Sequence, residues 1–175
     1  SWSANGLVFN GTNQDGTVSD FLASGETTFF ARMNTWTPPT TTTVVALISH
    51  WDAPTSQRST ILGGRLSAES FFSSNDGTTT TFINPTPAAS YAVDRTYVGN
   101  WNGSIGKNSI WRDKTFVVDG FAFSTLNDSP ADISIMRLNG ASNYATGTMK
   151  VAAMVEGVTL TTTQREAITD YINAL

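Results

Sequence analysis

Cysteine is absent, which rules out disulfides and leaves the redox compartment open. Charge is scarce as well: Asp, Glu, Lys and Arg make up 14% of the 175 residues, against about 25% in ordinary soluble domains. The 10 Lys and Arg are scattered singly and the net charge is −4. With no basic cluster to neutralise phosphates, a nucleic-acid partner is excluded. No apolar run approaches the ~20 residues that span a bilayer, so no membrane insertion is expected. No basic stretch followed by an apolar one opens the chain. Ser1 is not an initiator, so we expect a processed form or a domain cut from a longer protein. Histidine occurs once, and glutamate only at Glu26, Glu69, Glu156 and Glu166.

Hydroxyls take the place of charge. Ser and Thr account for about a quarter of the residues, and the branched Cβ of Thr suits a pleated surface. The 10 Phe, 5 Trp and 4 Tyr supply a core, and the length fits one domain over 1–175. Strand-length runs recur throughout. "GLVFNG" (6–11) and "GTVSDF" (16–21) flank "TNQD" and read as a hairpin. "TTFFARMN" (27–34), "VVALISHW" (44–51), "STILGGRL" (59–66) and "ESFFSSNDG" (69–77) follow, the last ending in a strong turn signal before "TTTTFI". "TYVGNWNG" (96–103), "NSIWRDKTFVVDG" (108–120), "DISIMRLNG" (132–140) and "GTMKVAAMVEGV" (147–158) complete the set. The prolines of 35–45 and 84–90 mark surface breaks between these runs.

Some ten strands over about 6–158, at 8–12-residue spacing, predict an all-β, two-sheet antiparallel sandwich or barrel. "VVALIS" and "TFVVDG" are apolar on both faces, as covered central strands would be, which favours two stacked sheets. The chain then changes character. Thr161, with Gln164 three residues on, has the spacing of a capping box, and Thr162 is an equally good cap. Ile168, Tyr171, Ile172 and Leu175 fall on one stripe, predicting a helix over about 161–175. Too short to stand alone, it must dock on a sheet face or edge, and we expect it to plug an open end of the sandwich.

Four stretches carry a resemblance to laminin-G-like, concanavalin-A-like jelly rolls, of the kind found in bacteriophage virion proteins. "GLVFNGTNQDGTVSD" resembles the opening hairpin, "FFARMN" the aromatic-rich core strand, "KTFVVDGFAF" the hairpin ending in Val-Asp-Gly, and "ISIMRLNG" through "TTTQREAITDYI" the closing strand and helix. Arg137 departs from the Gly common after the Ile-x-Ile strand, and 52–100 matches in rhythm only. The resemblance implies a virion-surface module on a capsid or tail protein, decorating the particle or adhering to host-surface glycans. The alternative it implies is a free lectin or carbohydrate-binding module of a bacterial surface or secreted protein. A homo-oligomer is compatible with either.

Hydrolysis finds no support in the residues. Retaining glycosidases set two carboxylates about 5 Å apart, and the jelly-roll glucanases draw theirs from one strand as Glu-x-Asp-x-Glu or a near variant. None of the four Glu has an acid two residues away, so no enzyme is expected. Ser49 and His50 are strand neighbours with side chains on opposite faces, which forbids a nucleophile–base pair, and His50 reads as a strand-end surface residue. A lectin site needs an aromatic face beside hydroxyl-binding groups. "HWDAPTSQR" offers Trp51, Asp52 and Arg58, and "NWNG" offers Asn100, Trp101 and Asn102; for the two tryptophans core or rim packing is the favoured reading. No cofactor is required. Calcium could sit on Asn10, Asn13 and Asp15, or on Asn75 and Asp76, although Asn, Asp and Gly are also ordinary turn residues.

Overall fold

The computed structural model describes residues 2–3, 6–19, 26–37, 44–52, 57–65, 68–76, 78–83, 94–127, 132–138 and 144–175. Thirteen strands come first: β1 (Trp2–Ser3), β2 (Gly6–Asn10), β3 (Gly16–Val18), β4 (Thr27–Thr37), β5 (Val45–Asp52), β6 (Gln57–Arg65) and β7 (Ala68–Asn75). Then follow β8 (Thr80–Ile83), β9 (Arg95–Asn102), β10 (Lys107–Arg112), β11 (Thr115–Phe121), β12 (Ile133–Ile135) and β13 (Thr146–Glu156), and the helix α1 (Thr162–Ala174) closes the chain. One sheet has seven strands in the order β1-β2-β13-β4-β9-β10-β11, the other six in the order β3-β12-β5-β6-β7-β8. All neighbours are antiparallel. The expected two-sheet sandwich holds. The proline-bearing breaks at 38–43 and 84–93 fall outside the described residues.

Alternation along each central strand divides the side chains between interior and exterior. On β4, Phe29, Ala31 and Met33 point between the sheets, and Tyr97 and Ile110 join them from β9 and β10. Leu47, Ile48, Leu62 and Phe72 answer from the other sheet. Phe29 and Phe72 meet edge to face at 6.1 Å across the interface. Gly99 permits that approach, since a Cβ there would lie 2.1 Å from the Phe72 ring. One polar bridge crosses the core, where Asn108 Nδ2 donates to Ser74 Oγ at 2.9 Å and Thr81 Oγ1 at 3.1 Å.

Four expectations need correction. β2 and β3 are not a hairpin: β2 pairs with β1 and β13, whereas β3 pairs with β12 in the other sheet. The segment between them is a corner, where Asn10 Oδ1 accepts from the amides of Thr12 (2.9 Å) and Asn13 (3.2 Å). "TFVVDG" lies in β11, an edge strand exposing Phe116 and Phe121, rather than in a covered central one. His50 is fully buried, because β5 runs between β12 and β6. Finally, α1 does not plug an end of the sandwich. It lies against the outer face of the seven-stranded sheet, where Ile172 is buried with Phe30 and Val98, beside Val151, Ala153 and Val155.

The helix follows its own sequence rules in getting there. Thr161, not Thr162, is the cap: its Oγ1 accepts from Gln164 N at 3.2 Å, and Gln164 Oε1 accepts from Thr161 N at 3.0 Å. Only half the predicted stripe faces inward. Ile168 and Ile172 pack, but Tyr171 and Leu175 are exposed. Arg165 takes up the remaining contact, its guanidinium 3.9 Å above the Trp111 ring. Arg32 Nη1 donates to Ile172 O at 2.8 Å, and Thr96 Oγ1 to Asn173 Oδ1 at 2.7 Å.

Candidate functional site

At one end of the seven-stranded sheet, β4 and β10 begin while β9, β11 and β13 finish. Register places Thr27 opposite both Trp101 and Glu156. The loops leaving these strands enclose a cleft of about 420 Å³, within the roughly 300–1,000 Å³ of small-molecule sites. Trp101 and Glu26 line it, together with the hydroxyl-bearing residues Ser104, Ser124, Thr125 and Thr159.

Trp101 is the penultimate residue of β9 and is held on both sides. Its Nε1 donates to Phe123 O at 2.9 Å, pinning the segment after β11 across the ring. A Cβ on Gly103 would lie 2.5 Å from Trp101 Cζ2 and 2.6 Å from Ser124 O, so glycine alone fits there. Asn102 Oδ1 accepts from Ser104 Oγ at 2.7 Å and Ile105 N at 3.3 Å, shaping the turn that carries Ser104 to the rim. Asn127 N donates to Asn75 O at 2.8 Å, tying the same segment to the six-stranded sheet.

Glu26 precedes β4 and is 7% exposed. Its carbonyl accepts from Gly157 N at 2.9 Å, which fixes the backbone. Its side chain is not so provided, for Oε1 is buried without a hydrogen-bond partner. Burying a carboxylate oxygen without a donor is expensive. Among the described residues lining the cleft, Glu26 is the one ionisable side chain. The cleft therefore brings together a carboxyl group, an indole and several hydroxyl-bearing residues. A second lining carboxylate, which two-acid hydrolysis requires, is not among the described residues.

The glycan candidates whose side chains are described, Trp51, Asn100, Trp101 and Asn102, do not converge. Trp51 and Trp101 belong to different sheets, and neither is the exposed platform that sugar stacking calls for. Trp51, 5% exposed, packs with Ala46, Ile61 and Leu138 on the outer face of the six-stranded sheet. Trp101, 4% exposed, is a core residue whose edge reaches the cleft. Asn100 turns away, donating to Thr28 Oγ1 at 2.9 Å and Thr27 O at 3.3 Å. Asn102 shapes the rim turn. The side chains of Asp52 and Arg58 lie outside the described residues.

In the two loops considered for calcium, most of the candidate side chains are engaged in turn and ion-pair contacts. Asn10 Nδ2 donates to Asn13 Oδ1 at 2.9 Å, and Arg137 Nη1 reaches Asp15 Oδ2 at 3.1 Å. Asn75 is buried, its Nδ2 donating to Thr80 Oγ1 at 2.7 Å. Asp76 Oδ1 accepts from the amides of Thr79 (2.8 Å) and Thr78 (2.9 Å), which hold its carboxyl below the usual carboxylate range. No group of three or more His, Asp or Glu that could hold a metal ion occurs among the described residues.

Of the residues lining the cleft, sequence reasoning named Trp101 as a candidate and did not name Glu26, Gly103, Ser124, Thr125 or Thr159. The one signal was a lone Glu in "SGETTFF", a charge set against an apolar strand.

No family model matches the sequence, and no curated protein matches it. Solved structures do resemble the fold. The binding domain of Paraclostridial Mosquitocidal Protein 1 superposes with a TM-score of 0.69 at 7% identity, over 98% of this chain and 47% of that one. This chain thus spans about half of that protein's length. A CBM40 of the Ruminococcus gnavus IT-sialidase, bound to α2,3-sialyllactose, gives 0.66 at 12% identity over 94% and 96%. A heptameric SAP-like pentraxin from Limulus polyphemus gives 0.65 at 13% identity over 93% and 80%. At these identities the likeness is one of fold: the chain is a two-sheet jelly-roll sandwich similar to those of carbohydrate-binding and lectin-like domains.

Proposed function

We propose that the chain is a non-enzymatic surface-adhesion module that holds a glycan in the cleft between Glu26 and Trp101. The observation that carries this reading is the Glu26 carboxylate, buried at the cleft without a donor for Oε1 and flanked by rim hydroxyls. Sugar hydroxyls are donors of the right kind, and the indole edge supplies the apolar contact that sugar C–H faces need. That jelly rolls similar to this one include a module bound to sialyllactose supports the choice of ligand class. A glycan array probed with the purified chain tests it. Binding weakened by Thr125→Trp, which would fill the mouth of the cleft, is the expected result. An empty array, or binding indifferent to that change, would sink the proposal.

The narrower form places the module on a virion, bound to a capsid or tail protein. The order of the four sequence stretches from "GLVFNG" to "TTTQREAITDYI" supports it. The alternative, a lectin or carbohydrate-binding module of a bacterial surface or secreted protein, draws on the match over 96% of the sialidase CBM40. Mass spectrometry of purified particles separates the two, since the chain is present in virions under the first and absent under the second.

A further inference from the structure

A cleft in which the one ionisable side chain among the described lining residues is a carboxylic acid discriminates among sugars. Glu26 is 7% exposed and its Oε1 lacks a partner; as a carboxylate it accepts hydrogen bonds and offers none. No Lys, Arg or His is among the described residues lining the cleft. The indole offers no compensation, because Trp101 Nε1 already donates to Phe123 O at 2.9 Å. The hydroxyl of Ser104 is likewise engaged with Asn102 Oδ1 at 2.7 Å.

Resting on the reading of the cleft as a sugar site, we infer that it selects glycans presenting hydroxyl or ammonium donors to Glu26 and rejects those presenting a carboxylate, such as sialic acids and uronic acids. An anionic sugar would set a second carboxylate against a buried one in a low-dielectric setting with no cation to share, and like charges there repel strongly. A donor-rich neutral sugar carries no such charge and brings hydroxyl donors to the Glu26 carboxyl group lining the cleft. A free amino sugar brings a charge-assisted bond, the stronger kind. The selectivity thus comes from one residue as much by repulsion as by attraction. It also sets this cleft apart from the similarly folded CBM40, which was solved with an anionic sialoside.

The test is a microarray carrying each glycan in neutral, free-amine, uronate and sialylated forms, probed with the wild-type chain, Glu26→Gln and Thr125→Trp. Wild type is expected to bind neutral or free-amine forms at least tenfold more tightly than their anionic counterparts, about 1.4 kcal/mol. Glu26→Gln, which keeps the shape and removes the charge, should narrow that gap to within about threefold and abolish any preference for the amine. Tightest binding to anionic forms, weakened by Thr125→Trp, would overturn the charge selectivity while leaving the cleft as the sugar site. Binding that Thr125→Trp does not touch, or none to any form, would overturn the cleft reading and this inference with it.

Discussion

Trp111 and Trp101 sit on neighbouring strands of the seven-stranded sheet, and their surroundings differ in purpose. Trp111 belongs to the outer face that α1 covers. There Arg165 lies 3.9 Å over its ring, Ile172 fills the space beside Phe30 and Val98, and Arg32 and Thr96 hydrogen-bond the last turn of the helix. Burial even lowers the Arg165 pKa from its ordinary value, since desolvation disfavours the charged form. Trp101 belongs to the end of the same sheet, beside a carboxylate oxygen with no donor and loops that leave a cleft open. One region completes its contacts within the chain; the other leaves a polar group unpaired. Thr60 Oγ1, Asn108 Oδ1 and Ser134 Oγ are also buried without a partner, so what sets Glu26 apart is its place in the lining of a cleft.

The contrast can be broken by substitution. Ile172→Ala should cost the most, about 2–5 kcal/mol in chemical denaturation, without altering glycan affinity of the folded fraction. Thr161→Ala removes the capping-box hydroxyl and should cost about 1 kcal/mol, again with binding unchanged. Asp94 provides a smaller, pH-dependent term at the helix-covered side. Hydrogen bonds from Arg32, at 2.9 and 3.1 Å, then from Lys150, hold its carboxyl below the usual range. A lowered folded pKa gives stability that is complete above the unfolded value of about 4 and lost as pH falls through the folded one. With Asp94 a third exposed, screening keeps this below about 1 kcal/mol. The melting temperatures of wild type and Asp94→Asn should therefore differ at pH 7 and draw together as the pH falls below about 4. The smallest stability effect is expected at the cleft: Glu26→Gln should leave the melting temperature unchanged or raise it, because a neutral amide is cheaper to bury than an unpaired carboxylate. A drop of several degrees would mean that Glu26 supports the fold rather than a ligand.

Legibility in the sequence followed the range of the forces involved. Strand runs such as "TTFFARMN" and "VVALISHW" were readable because alternation and β-branching act locally, and the Thr161–Gln164 box because capping closes within one turn. "TNQD" misled because Asn10 makes the same local hydrogen bonds at a corner between sheets as in a hairpin; which strand β2 pairs with is decided by distant β13. "TFVVDG" misled because apolar character on both faces does not tell an edge from a centre, and β11 ended at the edge. Within the helix, the stripe overlooked that Arg165 can cover an aromatic ring as well as an aliphatic side chain can. The cleft was nearly illegible. Glu26, Trp101, Thr125 and Thr159 acquire a joint meaning only when the loops of four strands meet.

The central claim, that the end of the sheet binds and its helix-covered face does not, is tested most directly by the tryptophan indole N–H resonances during titration with a glycan from the array. The resonance of Trp101, whose Nε1 is held by Phe123 O beside the cleft, should shift, with those of Trp111 and Trp51 unmoved. Shifts at Trp111 or Trp51 with Trp101 unchanged would contradict the account.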